Sequence, residues 1–267
     1  MGGTIVMPQV QLSKGEKRRE AIVQHLKVEG RITIQQIVQH FQCSEATARR
    51  DLEQLSKQER IIRTIGGARY EGIAVAHELP FSQKEHLAYL EKERVAELAV
   101  SLINEGDIVG LSGGTTSFLL AKLLKERQGI TVVTNAINIA MELAGSSVQV
   151  VVIGGILRHN SFELCGPLGE AMISQLHIGK MFVGVDGISL SGGISSYSEQ
   201  EAQTVKALMS RSEMTIALFD HTKWNKTSLF SVAPLSELDI VVTDRRMKGD
   251  LEKSLTAHQV KIYAVVG

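Results

Sequence analysis

Apolar positions in this chain recur at helical spacing over roughly its first sixty residues and gather into short continuous runs further on. Ile22, Val23 and Leu26 predict a first helix from about Lys14 to Glu29, stopped by Gly30. Ile34, Ile37, Val38 and Phe41 follow the i, i+3, i+4, i+7 rule. Thr33-x-x-Gln36 ahead of them is a capping box, in which each side chain satisfies a backbone N–H that the helix leaves unpaired. Three residues later Ser44 is a good N-cap for a third helix, whose buried stripe is Ala48, Leu52 and Leu55. Arg60 to Arg69, with Gly66-Gly67 at its centre, reads as a small hairpin. Three helices with a tight second turn and a hairpin predict a winged helix-turn-helix.

After Glu71 the periodicity lapses, and Gly72 and Pro80 punctuate a predicted linker over 72–80. A long helix is expected over Phe81 to Asn104, from Leu87, Leu90, Val95, Leu98 and Leu102, with Gly106 as its stop. Beyond it, Val/Ile runs alternate with helical segments. Strands are expected at 107–111, 131–134, 148–153, 181–185, 214–219, 240–243 and 261–265, and helices at 117–126, 137–143, 167–176, 199–210 and 248–257. Continuous apolar strands between helices predict a mostly parallel sheet covered on both faces, hence an α/β domain. The expected division is a flexible tail at 1–13, a DNA-binding domain at 14–71, the linker at 72–80 and an effector domain at 81–267.

The outer face of the third helix decides the chemistry of the first domain. At about 100° per residue, Arg50 points away from the Ala48–Leu52–Leu55 stripe, with Thr47 and Gln54 on one shoulder and Arg49 on the other. Arg forks onto guanine or phosphate and Gln onto adenine, so these residues suit a major groove. Ser44 and Glu45 at this helix start and Thr33 at the preceding one join the candidate contact set, and Arg63 and Arg69 flank the hairpin where a wing meets phosphates. Charge agrees: residues 1–72 hold 12 Lys+Arg against 8 Asp+Glu, or +4, and residues 73–267 hold 17 against 21, or −4.

In open α/β sheets ligands sit at the carboxyl ends of strands. Here those ends run into Ser112-Gly113-Gly114-Thr115-Thr116, Thr134-Asn135, Gly154-Gly155 with Arg158 behind, Asp186-Gly187, Asp220 with Lys223, and Thr243-Asp244. Ser112 to Thr116 has the makings of an anion cradle: glycines allow close backbone approach, hydroxyls donate, and the following helix offers free N–H groups. Arg158 and Lys223 add cations, which points to a phosphate, while Asp186, Glu201 and Asp220 suit sugar hydroxyls. The loop lacks a P-loop lysine and dinucleotide spacing, so no cofactor is implied.

Composition narrows the picture by exclusion. At 43% hydrophobic and 22% charged residues the chain is an ordinary globular protein with no span long enough for a membrane, expected in the cytoplasm. Cys43 and Cys165 fall in separate predicted domains, and no His or Cys spacing suggests a metal site.

The run Ser44-Glu-x-Thr-x-Arg-Arg-Asp-Leu-x-x-Leu55, followed by Ile62-x-Arg-x-x-Gly-Gly-Ala68, resembles the N-terminal module of DeoR-type bacterial transcriptional regulators; Ala48 departs from the branched aliphatic residue more usual there. Gly106-Asp107, Ser112 to Thr116, Val133-Thr134-Asn135, Gly154-Gly155-x-x-Arg158, Asp186-Gly187, Glu201-Ala202, Lys206 and Asp220-x-x-Lys223 resemble the sensor domain of the same family. The resemblance implies a fold related to ribose-5-phosphate isomerase, glucosamine-6-phosphate deaminase and CoA transferases that binds a phosphorylated sugar or sugar catabolite. It carries Ser112, Gly113, Gly114, Thr115, Thr116, Thr134, Asn135, Arg158, Asp186, Glu201, Lys206 and Lys223 as candidate ligand residues.

The expected protein is a regulator, a repressor of a carbohydrate-catabolic operon, whose partners are operator DNA and a sugar-phosphate effector. A homo-oligomer, dimer or tetramer, is expected because one module buries too little DNA surface alone. The rival is an isomerase carrying a DNA-binding arm. Asp186-Gly-Ile-Ser189 and Ser191-Gly-Gly resemble the pentose-phosphate isomerase signature, with Ser189 where the second acid and Ser191 where the lysine would stand. Isomerisation needs a carboxylate base and a cation for the enediolate, so binding without turnover is the expectation.

Overall fold

Thr33 begins the second helix as its spacing to Gln36 predicts. Its hydroxyl accepts the Gln36 N–H at 3.2 Å, and the Gln36 amide oxygen accepts the Thr33 N–H at 2.8 Å. The computed structural model describes residues 13–29, 31–58, 61–70 and 78–265, which fall into two compact units, Met1–His77 and Glu78–Gly267. The predicted tail, apart from Ser13, and residues 71–77 of the region around the predicted linker lie outside the described residues.

The first unit runs α1 (Lys14–Glu29), β1 (Arg31–Thr33), α2 (Ile34–Phe41), α3 (Glu45–Gln58), β2 (Ile61–Thr64) and β3 (Gly67–Tyr70). Ile22, Leu26, Ile37, Ala48 and Leu52 close its core. Gln42 turns the chain between α2 and α3 by taking a left-handed conformation at φ 46°, which puts Ser44 in place to cap α3. Asp51 faces inward rather than into solvent, accepting from Arg18 Nε at 2.6 Å and Arg19 at 3.4 Å, and so pins α3 to α1. The hairpin adds β1 to form an antiparallel sheet ordered β1-β3-β2. Gly67 is required where the strands meet, since a Cβ there would lie 2.1 Å from the Ile32 carbonyl oxygen.

The second unit runs α4 (Phe81–Lys84), α5 (Tyr89–Val100), β4 (Ile108–Leu111), α6 (Thr115–Leu124), β5 (Thr131–Thr134), α7 (Ile137–Leu143), β6 (Gln149–Val152), β7 (Ile156–Arg158), β8 (Glu163–Cys165), α8 (Pro167–Ile173), β9 (Ile178–Gly184), β10 (Gly187–Ser189), β11 (Gly193–Ser196), α9 (Glu199–Ser210), β12 (Ser212–Phe219), β13 (Phe230–Ala233), β14 (Ile240–Thr243), α10 (Asp250–Ala257) and β15 (Lys261–Ala264). The expected continuous helix over 81–104 is broken into α4 and α5. Ala88 takes a left-handed turn at φ 49°, and the buried Lys92 ammonium reaches back to the Lys84 carbonyl at 2.6 Å. With neither Gly nor Pro at the break, the apolar periodicity carried no sign of it.

Seven strands form one parallel sheet ordered β15-β14-β12-β9-β4-β5-β6. Alternation along each strand separates two cores. Phe182, Ile216, Leu218 and Val242 pack under α5, α6 and α7, while Met181, Val183, Ala217 and Val241 pack under α8, α9 and α10. The small β7-β8 hairpin and the antiparallel trio β10-β11-β13 were not foreseen, because strands of three or four residues leave almost no periodic signal. Strand order reverses between β4 and β9, so the crevice at their carboxyl ends is the topological switch point of the sheet.

Candidate functional site

In the first unit, α3 offers a polar outer face built from its cap outward. The Ser44 hydroxyl accepts the Thr47 N–H and lies 2.8 Å from the Thr47 hydroxyl, which fixes both at the helix start. Arg49 is drawn onto Glu45, at 2.6 Å, whereas Arg50 is exposed and makes no ion pair with a described residue. Gln54 and Arg63 are also exposed. Ile65 stands out at the hairpin turn, while the neighbouring Gly66 carbonyl is tied to the Ile34 N–H at 2.8 Å. The side chain of Arg69 lies outside the described residues.

In the second unit, the switch point collects the loop after β4 and the loop after β9. The Ser112 hydroxyl accepts the Gly184 N–H at 2.9 Å, stitching the two strand ends together. Gly114, at φ 108°, turns the chain into α6 in a conformation that favours glycine, and Thr115 and Thr116 follow in its first, buried turn. Gly113 is needed for another reason: a Cβ there would meet Glu163 Oε1 at 2.2 Å, so the Glu163 carboxylate lies directly on the cradle backbone. From β5, Thr134 accepts the Ala136 N–H at 3.1 Å, and Asn135 donates to the Leu164 carbonyl at 3.2 Å, holding β8 against the site.

Arg158 enters on β7 and meets three carboxylates: Glu163 at 2.7 Å, Glu201 at 3.1 Å, and Glu78. Burial works against its charge, but Glu163, Glu201 and Glu78 outweigh it and hold the guanidinium firmly protonated. Asp186 pairs with Lys84 at 3.0 Å and accepts the Tyr197 N–H at 3.3 Å. Burial would raise the Asp186 carboxyl, yet Lys84 and Lys223 keep it below the usual range. The surplus of acid falls on the neighbouring Glu163 and Glu201: burial raises both carboxyls, and burial first and then Glu163 and Asp186 push Glu201 up to about 8. Lys92 moves the other way, down to about 8, through burial and then the neighbouring Lys223. The cluster is therefore rich in carboxylates, each held close to a cation or a proton.

Of the residues anticipated for this site, Ser112 to Thr116, Thr134, Asn135, Arg158, Asp186, Glu201 and Lys223 all lie on elements that end at this edge of the sheet. Lys206 does not join them. Five residues beyond Glu201 on α9 it has turned roughly 140°, and it lines a separate cavity of about 530 Å³ with Ser212, Thr215, Ser231 and Asp239. Glu78, Lys84, Lys92 and Glu163 were missed by sequence reasoning. Each reads as an ordinary surface charge, and only the tertiary fold shows that Glu78, Lys84 and Glu163 meet buried ions and that Lys92 meets the Lys84 carbonyl. Ser189, at the position of the isomerase acid, is a structural hydroxyl: it accepts the Gly192 N–H at 3.0 Å and lies 2.7 Å from the Thr227 hydroxyl, closing the β10–β11 turn. Among the described residues no group of His, Cys, Asp and Glu could hold a metal ion, and no helix is long and apolar enough to cross a membrane.

Two family models match the chain, a DeoR-like helix-turn-helix domain over residues 18–72 and a DeoR C terminal sensor domain over residues 87–245. Among similar proteins, the HTH-type transcriptional repressor GlcR of Bacillus subtilis is 37% identical over 233 residues, 86% of this chain and 88% of that protein. The L-fucose operon activator of Haemophilus influenzae is 31% identical over 249 residues, 91% of this chain and 97% of its own. Ribose 5-phosphate isomerase A from Methanocaldococcus jannaschii aligns in structure over 51% of this chain and 55% of that one, at 16% identity and a TM-score of 0.40.

Proposed function

The chain belongs to the DeoR family of transcriptional regulators, and on that premise we propose that it represses a carbohydrate-catabolic operon and releases it when a phosphorylated sugar binds the second unit. The observation that carries this reading is the meeting of the Ser112–Thr116 cradle with Arg158, Asp186 and Lys223 at the switch point of the sheet. Backbone N–H groups at the α6 start, the Thr115 and Thr116 hydroxyls and the guanidinium would hold the phosphate; Asp186, Glu201 and Asn135 would take sugar hydroxyls. Two relatives named for control of transcription, one a repressor and one a sugar-operon activator, support the regulatory part.

Operator contact falls to α3 and the wing. Thr47, Arg49, Arg50 and Gln54 would reach bases or phosphates, with Thr33, Ser44 and Glu45 at the helix starts and Arg63 and Arg69 on the hairpin. A homodimer or tetramer would bring two such modules to repeated half-sites. Turnover is not part of the reading: the hydroxyls of Ser189 and Ser191 supply neither the base nor the cation that aldose–ketose exchange requires. The test is operator release. Purified protein bound to its operator fragment should dissociate on addition of one member of a sugar-phosphate panel, and the double variant Thr115→Ala, Arg158→Ala should keep DNA binding and lose the response. A double variant that still responds would place the effector elsewhere.

A further inference from the structure

One guanidinium does not need three carboxylates. Glu163 lies on the same hairpin as Arg158 and Glu201 in the first turn of α9, so both come with the body of the unit. Glu78 is different, because it arrives from 80 residues away on the segment that enters the unit. That segment is fastened to the site at three successive points. Glu78 takes Arg158, the Phe81 N–H donates to the Asn160 carbonyl at 2.6 Å, and Lys84 takes Asp186 at 3.0 Å. Phe81 wedges between the rings of Phe118 and Phe162, with centroids at 5.5 and 5.6 Å. The fastening at Glu78 is incomplete: its Oε1 is buried without a hydrogen-bond partner among the described residues, as is Glu163 Oε1.

We propose that Glu78 is a specificity-determining residue of the effector site, a tethered carboxylate that occupies Arg158 until a phosphorylated ligand displaces it. The inference rests on the effector reading above and adds to it the reason an unphosphorylated sugar is refused. A carboxylate brings one negative charge and here uses one of its two oxygens. A phosphate monoester brings about −1.5 to −2 and three acceptor oxygens, enough to win the guanidinium and to draw on Lys84 and Lys223 as well. A neutral hydroxyl gains too little from Arg158 to evict a charged competitor. Because the bound conformation requires Glu78 to leave, the apparent affinity of every ligand falls by the fraction of molecules in which it has left, and this holds the weaker, unphosphorylated ligands below useful occupancy.

The experiment uses the full-length protein and titrates ribose 5-phosphate, glucosamine 6-phosphate, glycerol 3-phosphate and inorganic phosphate, with free ribose and glucosamine as counterparts, by calorimetry. For whichever phosphate the wild type binds, Glu78→Gln is expected to bind at least about fivefold tighter, and the free-sugar counterpart, too weak to register in the wild type, should gain by a similar factor. Glu78→Asp, which keeps the charge, should stay within about twofold of wild type. Hydrogen exchange at the Phe81 amide should quicken when the ligand binds. Unchanged or weaker binding by Glu78→Gln beside a wild type that binds normally would overturn the proposal and leave the effector reading standing, and so would a Phe81 amide that exchanges more slowly in the complex. A wild type and a Glu78→Gln that both ignore every phosphate would overturn the effector reading itself, and the proposal with it.

Discussion

Arg50 and Arg49 are adjacent in sequence, yet their side chains are placed for different work. Arg49 is shared with Glu45 through an exposed i,i+4 pair, worth about 0.3–0.5 kcal/mol, so it can be drawn onto a phosphate at little cost. Arg50 faces solvent without a described acid in reach and is the better candidate for a base edge. Arg50→Ala should therefore weaken operator binding by about 1–3 kcal/mol with the thermal midpoint unchanged; equal affinity in a gel-shift titration would remove it from the contact face. In the second unit, Glu201 makes the sharpest residue-scale prediction. Its carboxyl is raised to about 8 by burial and by the neighbouring Glu163 and Asp186, against the opposing pull of Lys84 and Arg158. In the unfolded chain the same carboxyl ionises near 4.5, so between roughly 4.5 and 8 the unfolded state binds fewer protons and stability declines as pH rises. Glu201→Gln should be close to neutral at pH 5 and stabilising by at least about 1 kcal/mol at pH 8. Parallel unfolding curves for the two proteins across that range would contradict the assignment.

Helix starts were legible in the sequence because capping is a local matter, settled within three residues at Thr33–Gln36 and Ser44–Thr47. The strands of the large sheet were legible for a similar reason, since a strand buried on both faces must be apolar throughout. Breaks and charge pairs were not. The α4–α5 interruption depends on Lys92 reaching the Lys84 carbonyl and on Lys84 reaching Asp186, a partner 102 residues away, and nothing in the intervening periodicity records either contact. The left-handed residues at such breaks offer a direct check at this scale. Gln42, in the helix-turn-helix turn, and Ala88, between α4 and α5, sit at φ 46° and 49° where a side chain is disfavoured. Gln42→Gly and Ala88→Gly should each stabilise by up to about 1 kcal/mol, the relief of the left-handed strain less the entropy that glycine adds to the unfolded chain. A loss of stability in denaturant melts would show that these side chains make compensating contacts.

At the scale of the whole molecule, chemistry is divided between two units, each organised around one surface. The first presents an arginine-bearing helix and a wing. The second presents the one edge of a parallel sheet where loop backbones, hydroxyls and buried ions converge. The positions of that edge could be read from the sequence, since parallel strands fix which ends lie together. Its electrostatic balance could not, because Glu78, Lys84 and Glu163 acquire their meaning only when the fold buries them beside Arg158 and Asp186. Regulation requires only that the effector prefer one state of the protein over another, and a preference of a few kcal/mol suffices. The most direct measurement is thermal unfolding of the full-length protein against a panel of pentose, hexose and triose phosphates, with the same samples assayed for isomerised product. A ligand at 100 times its dissociation constant adds about 2.7 kcal/mol, a rise of several degrees in the midpoint. A selective rise with one phosphorylated sugar, none with its free counterpart and no product is the predicted result; no rise with any member of the panel, or a rise accompanied by turnover, would contradict it.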